Sequence, residues 1–179
     1  PLLRRVYDSL YLDYPLSPYV MAIRDRFESM EKALRMEQAF DRADVIGFPD
    51  ICLPGIDGAP VCLSSLKGKT IILSFWHSAN VEMRLDNREL MEIYDTYSPK
   101  GLEVFQVAID TDKTAWALAV REQSLPWVSV CDGLGGYSPA LVTYNVGELP
   151  AYFIINSDEE ILARTASLDE VARIVKSLL

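Results

Sequence analysis

FWHSANVEMR, residues 75–84, joins the end of one pattern to the start of another. Upstream, TIILSFW (70–76) is a short apolar run rich in β-branched and aromatic residues, the mark of a strand covered on both faces. Downstream, from about Val81 to Tyr97, Met83, Leu90, Ile93 and Tyr94 recur at helical spacing. A strand running into a helix start is a common place for the chemistry of a small α/β protein. Yet this junction holds no cysteine, no serine with a partner base and no glycine-rich loop.

Moving outward, DICLPGIDGAPVCL (50–63) predicts a hairpin around the Asp57-Gly58 turn pair. LEVFQVAID is a second buried strand, followed by a helix over Lys113–Glu122, a strand in WVSVC and a helix near Pro139–Tyr144. Strands AYFIIN and EILART and a last helix over 168–178 complete the chain. Strands alternating with helices imply parallel βαβ units, and the closing strand pair implies an antiparallel edge.

Residues 1–43 have a different texture. In SPYVMAIRDRFESMEKALRMEQAF, Ser17 suits a helix cap and Pro18 its first turn, and Ile23, Phe27, Met30 and Leu34 form one apolar stripe. Burial of that stripe in its own protein is the simpler use, and a partner or a second copy the alternative. The expected organisation is a helical segment, 1–43, ahead of one α/β domain, 44–179.

With 179 residues, half of them hydrophobic, the chain is long enough for one substantial core. Its 26 acidic and 17 basic residues give a net charge of −9, which repels phosphate backbones and argues against a nucleic-acid partner. No apolar run approaches the roughly 20 residues of a membrane span, and no signal-peptide pattern is present. No cofactor is called for.

Cys52, Cys62 and Cys131 are too few and scattered for a disulfide framework or a zinc site, though an occasional bridge stays open. A two-residue Asp57-Gly58 turn directs Cys52 and Cys62 to opposite faces, so two separate buried thiols are expected there.

GFPDICLPGIDGAPVCLSSLKGKTIILSFW, VAIDTDKTAW, and SLPWVSVCDGLGGYSPALVTYNVGELPAYFIIN together resemble the thioredoxin-like thiol-disulfide oxidoreductases of bacterial cell envelopes, especially those of the Bacteroidetes type. The likeness runs from about Gly47 to the C-terminus. It implies a thioredoxin-like fold, a mixed central sheet flanked by helices with an added N-terminal hairpin. It also implies a periplasmic or cell-envelope location.

The departure lies at the opening stretch. Where that family carries Cys-x-x-Cys, this chain has Asn80-Val81-Glu82-Met83. The chemistry needs a thiolate at the helix N-terminus and a second cysteine one turn on, and Asn80 supplies neither function. Asparagine is, however, among the best N-cap residues, and Met83 fills the space of a resolving sulfur. Asp86 stands where relatives often carry a proton-managing glutamate, and Arg88 replaces a proline that usually kinks the helix. A peroxidase site needs Thr-x-x-Cys at this helix and finds none.

By the same resemblance Pro150 matches a cis-proline that, with Leu149, borders a groove for an extended peptide. Trp76 is either a wall of that groove or core, and His77, the single histidine, is more simply a surface residue than an acid–base catalyst. Cys131 ends a strand where relatives commonly carry serine, and reads as small and buried or as a displaced redox thiol. The leading expectation is a non-catalytic module that binds a peptide or protein in the groove of Trp76, His77, Asn80, Leu149 and Pro150. The alternative is an oxidoreductase with relocated thiol chemistry, using Cys131, Cys62 or Cys52.

Overall fold

The computed structural model describes residues 47–179. The expected N-terminal helices and the boundary near residue 44 lie outside the described residues. Seven strands and four α-helices follow in the order β1 (Cys52–Pro54), β2 (Pro60–Cys62), β3 (Thr70–Trp76), α1 (Val81–Tyr97), β4 (Leu102–Ala108), α2 (Lys113–Glu122), β5 (Val128–Val130), α3 (Pro139–Thr143), β6 (Ala151–Ile155), β7 (Ile161–Thr165) and α4 (Leu168–Leu178). The elements expected in this region are all present, most within a residue or two of the expected ends.

The main sheet has the order β5-β4-β3-β6-β7. β3 and β4 run parallel from Thr70↔Leu102 to Trp76↔Ala108, β5 joins β4 in parallel, and β6 and β7 return antiparallel. This is the thioredoxin-like architecture, with β1 and β2 as the added hairpin.

β3 is central because every one of its residues is buried, which suits a strand with helices on both sides. Side chains alternate across it. Ile71, Leu73 and Phe75 pack with Phe105, Phe153 and Tyr144 on one face. Ile72 packs with Leu90, Val104 and Ile154 on the other, where Val171 and Val175 of α4 complete the layer. Each such side chain contributes about 1.5–3 kcal/mol by leaving water.

The helix starts follow from local chemistry. Asp112 caps α2 by accepting from the Thr114 and Ala115 N–H groups, and Asp169 and Glu170 sit at the positive end of α4. Past α3, Asn145 takes a left-handed φ of 49°, which asparagine tolerates better than most residues. That turn leaves Tyr144 fully buried, its hydroxyl donating to the Pro49 carbonyl at 2.5 Å.

The hairpin corrects one expectation. The loop spans Ile56, Asp57 and Gly58, not Asp57-Gly58 alone. The Gly58 N–H donates to the Gly55 carbonyl at 3.0 Å and the Gly55 N–H to the Ala59 carbonyl at 2.8 Å, while Gly58 adopts a left-handed φ of 80°. Three loop residues shift the parity by one, so Cys52 pairs directly with Cys62 across the ladder.

Candidate functional site

The loop from His77 to Asn80 carries the chain from β3 into α1. Asn80 caps the helix, its Oδ1 accepting from the Met83 N–H at 3.1 Å. Met83 is buried one turn in, and its sulfur accepts from the His77 N–H at 3.3 Å. The helix start thus carries an amide at its cap and a thioether one turn in. Neither is a sulfur nucleophile.

Beside them lies a buried carboxylate. Ser78 donates to Asp110 twice, from its hydroxyl at 2.5 Å and its N–H at 3.1 Å. His77 is partly exposed; its Nδ1 accepts from the Ala79 N–H at 3.2 Å and stands 3.5 Å from Asp110 Oδ1. Only a protonated ring makes that second contact an ion pair. The arrangement ties the loop to the end of β4 and presents no nucleophile to the histidine.

Trp76, read from sequence as wall or core, is 2% exposed and therefore core, packed with Met83, Trp116 and Cys131. Leu149 leans on the same cluster from the loop ahead of β6, and the Leu149–Pro150 bond is cis as expected. Asp86 is half-buried; desolvation first, then Glu82, hold its carboxyl above the ordinary value of 3.8, while a hydrogen bond with Tyr152 pulls the other way.

Cys131 is fully buried, and its thiol lies 3.6 Å from the Asp110 carbonyl. Burial pushes that thiol above the ordinary value of 9.0. An inaccessible, protonated thiol is a poor nucleophile, so the small, buried reading of Cys131 fits and the displaced redox thiol does not.

The remaining two cysteines correct the second expectation: they are not separate buried thiols. Cys52 and Cys62 form a disulfide across the hairpin, with Cα atoms 4.0 Å apart. Cys52 is exposed and Cys62 half-buried. A sequence signal for this pairing exists in Pro54 and Pro60. Neither can donate to the ladder, so both belong at non-hydrogen-bonded positions, and both sit symmetrically about Asp57, as Cys52 and Cys62 do.

Two further features escaped the sequence. A chain of buried polar side chains runs under α1: Trp127 donates to Gln106 at 3.0 Å, Gln106 to Asn87 at 2.7 Å, Asn87 to Gln123 at 2.9 Å, and Gln123 to the Arg84 carbonyl at 2.7 Å. Next to it Val81 and Leu85, both exposed, line a recess with Arg84, Arg88 and Leu125. Among the described residues no helix is long and apolar enough to cross a membrane.

With this geometry in view, the chain can be set beside known proteins. The model of the AhpC/TSA family matches residues 47–164. A thiol-disulfide oxidoreductase ResA of Bacillus cereus is 29% identical over 119 residues, 65% of either chain, so the match spans just under two thirds of that relative's length. Among solved structures, a thiol-disulfide oxidoreductase from Bacteroides fragilis superimposes with a TM-score of 0.69 at 26% identity, over 74% of this chain and 99% of that one. An uncharacterized thioredoxin-like protein from Bacteroides vulgatus does so with a TM-score of 0.66 at 32% identity, over 74% and 86%.

Proposed function

This chain belongs to the AhpC/TSA family, and we propose that it takes part in thiol–disulfide exchange with the hairpin disulfide, Cys52–Cys62, as its reactive bond. One observation carries the reading. Among the described residues the only sulfur pair that meets solvent is in the hairpin, whereas Asn80 and Met83 occupy the helix start and Cys131 is sealed.

In the reaction a thiolate of a dithiol partner attacks the exposed Cys52 sulfur, and Cys62 leaves as a thiolate that takes up a proton. The partner's second thiol then attacks its own sulfur in the mixed disulfide and frees Cys52. The partner ends as a disulfide and the hairpin as two thiols, with two electrons and two protons transferred. The reverse sequence oxidises a dithiol. A location in an oxidising compartment such as the cell envelope belongs to the same reading, since disulfides persist there.

Insulin reduction with a dithiol reductant tests this. The native chain is expected to accelerate the reaction, the Cys52→Ser, Cys62→Ser variant to lose the acceleration, and Cys131→Ser to keep it. A native chain no faster than reductant alone defeats the reading.

A second reading, a non-catalytic peptide- or protein-binding module, draws on the capped helix start, the cis Leu149–Pro150 bond, whose Leu149 packs on the Trp76 and Met83 cluster, and the exposed Val81 and Leu85. Its signature in the same assay is a silent native chain together with an active Asn80→Cys, Met83→Cys variant, because restored sulfur then finds a groove still able to seat substrate.

A further inference from the structure

The sequence alone leaves the three cysteines too scattered to hold a metal, but folding gathers two of them beside a carboxylate. We propose that the reduced hairpin is a zinc site, with Cys52, Cys62 and Asp50 as its ligands. The inference rests on the reading above in one respect: the Cys52–Cys62 bond must be reducible in the folded protein.

The geometry supplies the ligand set. Asp50 Oδ and the two sulfurs all lie within 4.8 Å of one another. The carboxylate is held in place, because its Oδ1 accepts the Ser64 N–H at 2.9 Å. That leaves Oδ2 toward the sulfurs, 3.9 Å from Cys52 Sγ. An oriented carboxylate of this kind loses little freedom on binding a cation.

The backbone supplies the spacing. Cys52 and Cys62 face each other at a non-hydrogen-bonded position of the ladder, with Cα atoms 4.0 Å apart. Two thiolates at the usual Zn–S length of about 2.3 Å around a tetrahedral ion sit about 3.8 Å apart. Side chains directly opposite on such a ladder reach that separation with a rotation about χ1.

Charge decides the occupant. Two thiolates beside Asp50 place three negative charges within a few ångströms, which protons or a cation must offset, and a divalent ion offsets two of them while replacing both protons. Sulfur ligands with one carboxylate favour Zn²⁺ over Mg²⁺ or Ca²⁺, which take oxygen. The exposure of Asp50 and Cys52 leaves the fourth position to water.

The two states exclude each other. A dithiol reductant gives two electrons and two protons to the disulfide and becomes a disulfide itself; Zn²⁺ then displaces the two protons from the new thiols. In the oxidised hairpin the sulfurs are bonded to each other and hold no metal. Bound zinc in turn withholds both thiolates from reoxidation.

The test uses the full chain carrying Cys131→Ser, so that the hairpin holds the only thiols. After reduction and anaerobic removal of the reductant, thiols are counted and ZnCl₂ is titrated calorimetrically. Two thiols, one Zn²⁺ per chain and about two protons released are expected, with no binding to the oxidised chain. Asp50→Asn keeps an acceptor for the Ser64 N–H but removes the charge, and is expected to weaken binding by at least about tenfold.

Two thiols counted with no zinc bound overturns the site while leaving thiol–disulfide exchange standing. So does an Asp50→Asn chain that binds as tightly as its parent. No thiols after reduction removes the exchange reading and the zinc site together.

Discussion

Asn80 has a structural role at the start of α1. Its side chain satisfies the Met83 N–H, one of the donors a helix start leaves open. Asn80→Ala is therefore expected to lower stability by about 1 kcal/mol, and Asn80→Gly by only a few tenths, in urea denaturation. Equal losses in the two variants would argue against a capping role. Cys131 makes the opposite case, a reactive residue type silenced by its surroundings. At pH 8 it is expected to resist an aromatic disulfide reagent in the folded chain and to react in full once the chain is unfolded. Asn80 was legible from sequence because capping depends on the next three residues alone. The state of Cys131 was not, since residues from β4 and α2 bury it.

The hairpin and the polar chain under α1 are held by partners distant in sequence or by parity. The disulfide closes a short loop, with a sequence separation of 10, and its reduction in a Cys131→Ser background is expected to cost about 2–3 kcal/mol. Denaturation curves with and without reductant measure that cost, and coincident curves would mean that the sheet alone holds the hairpin. Under α1, Asn87 is buried where a helical stripe predicts an apolar residue, because it bridges Gln106 and Gln123. Asn87→Leu restores the stripe but orphans the groups it serves, with an expected loss of roughly 1–3 kcal/mol for each polar group left unpaired. A double-mutant cycle with Gln106→Leu is expected to recover part of that loss, and strict additivity would deny the coupling. The stripe of Met83, Leu90, Ile93 and Tyr94 was readable from period; the amide within it was not, since its partners come from β4 and the end of α2.

Taken together, the buried acids predict how stability responds to alkali. Burial raises the Cys131 thiol above 9.0 and, as the first cause in each case, the Tyr94, Tyr144 and Tyr152 hydroxyls above 10.0. Above pH 9 the unfolded chain loses these protons first, so the folded chain binds more of them and unfolding free energy falls as pH rises. The melting temperature is expected to decline from pH 9 to 11, and a flat profile would contradict these environments. Tyr144→Phe and Tyr152→Phe are expected to flatten it. The order of strands and helices, the buried character of β3, the capped start of α1 and the absence of cysteine from it could all be read along the chain, because each depends on period, local hydrogen bonding or residue identity. The Cys52–Cys62 bond, the sealing of Trp76 and Cys131, the amide chain through Asn87 and the placing of Asp50 beside two sulfurs were decided only in three dimensions. A single residue of loop length sets which side chains meet across a hairpin, and burial is the joint product of surfaces far apart in sequence.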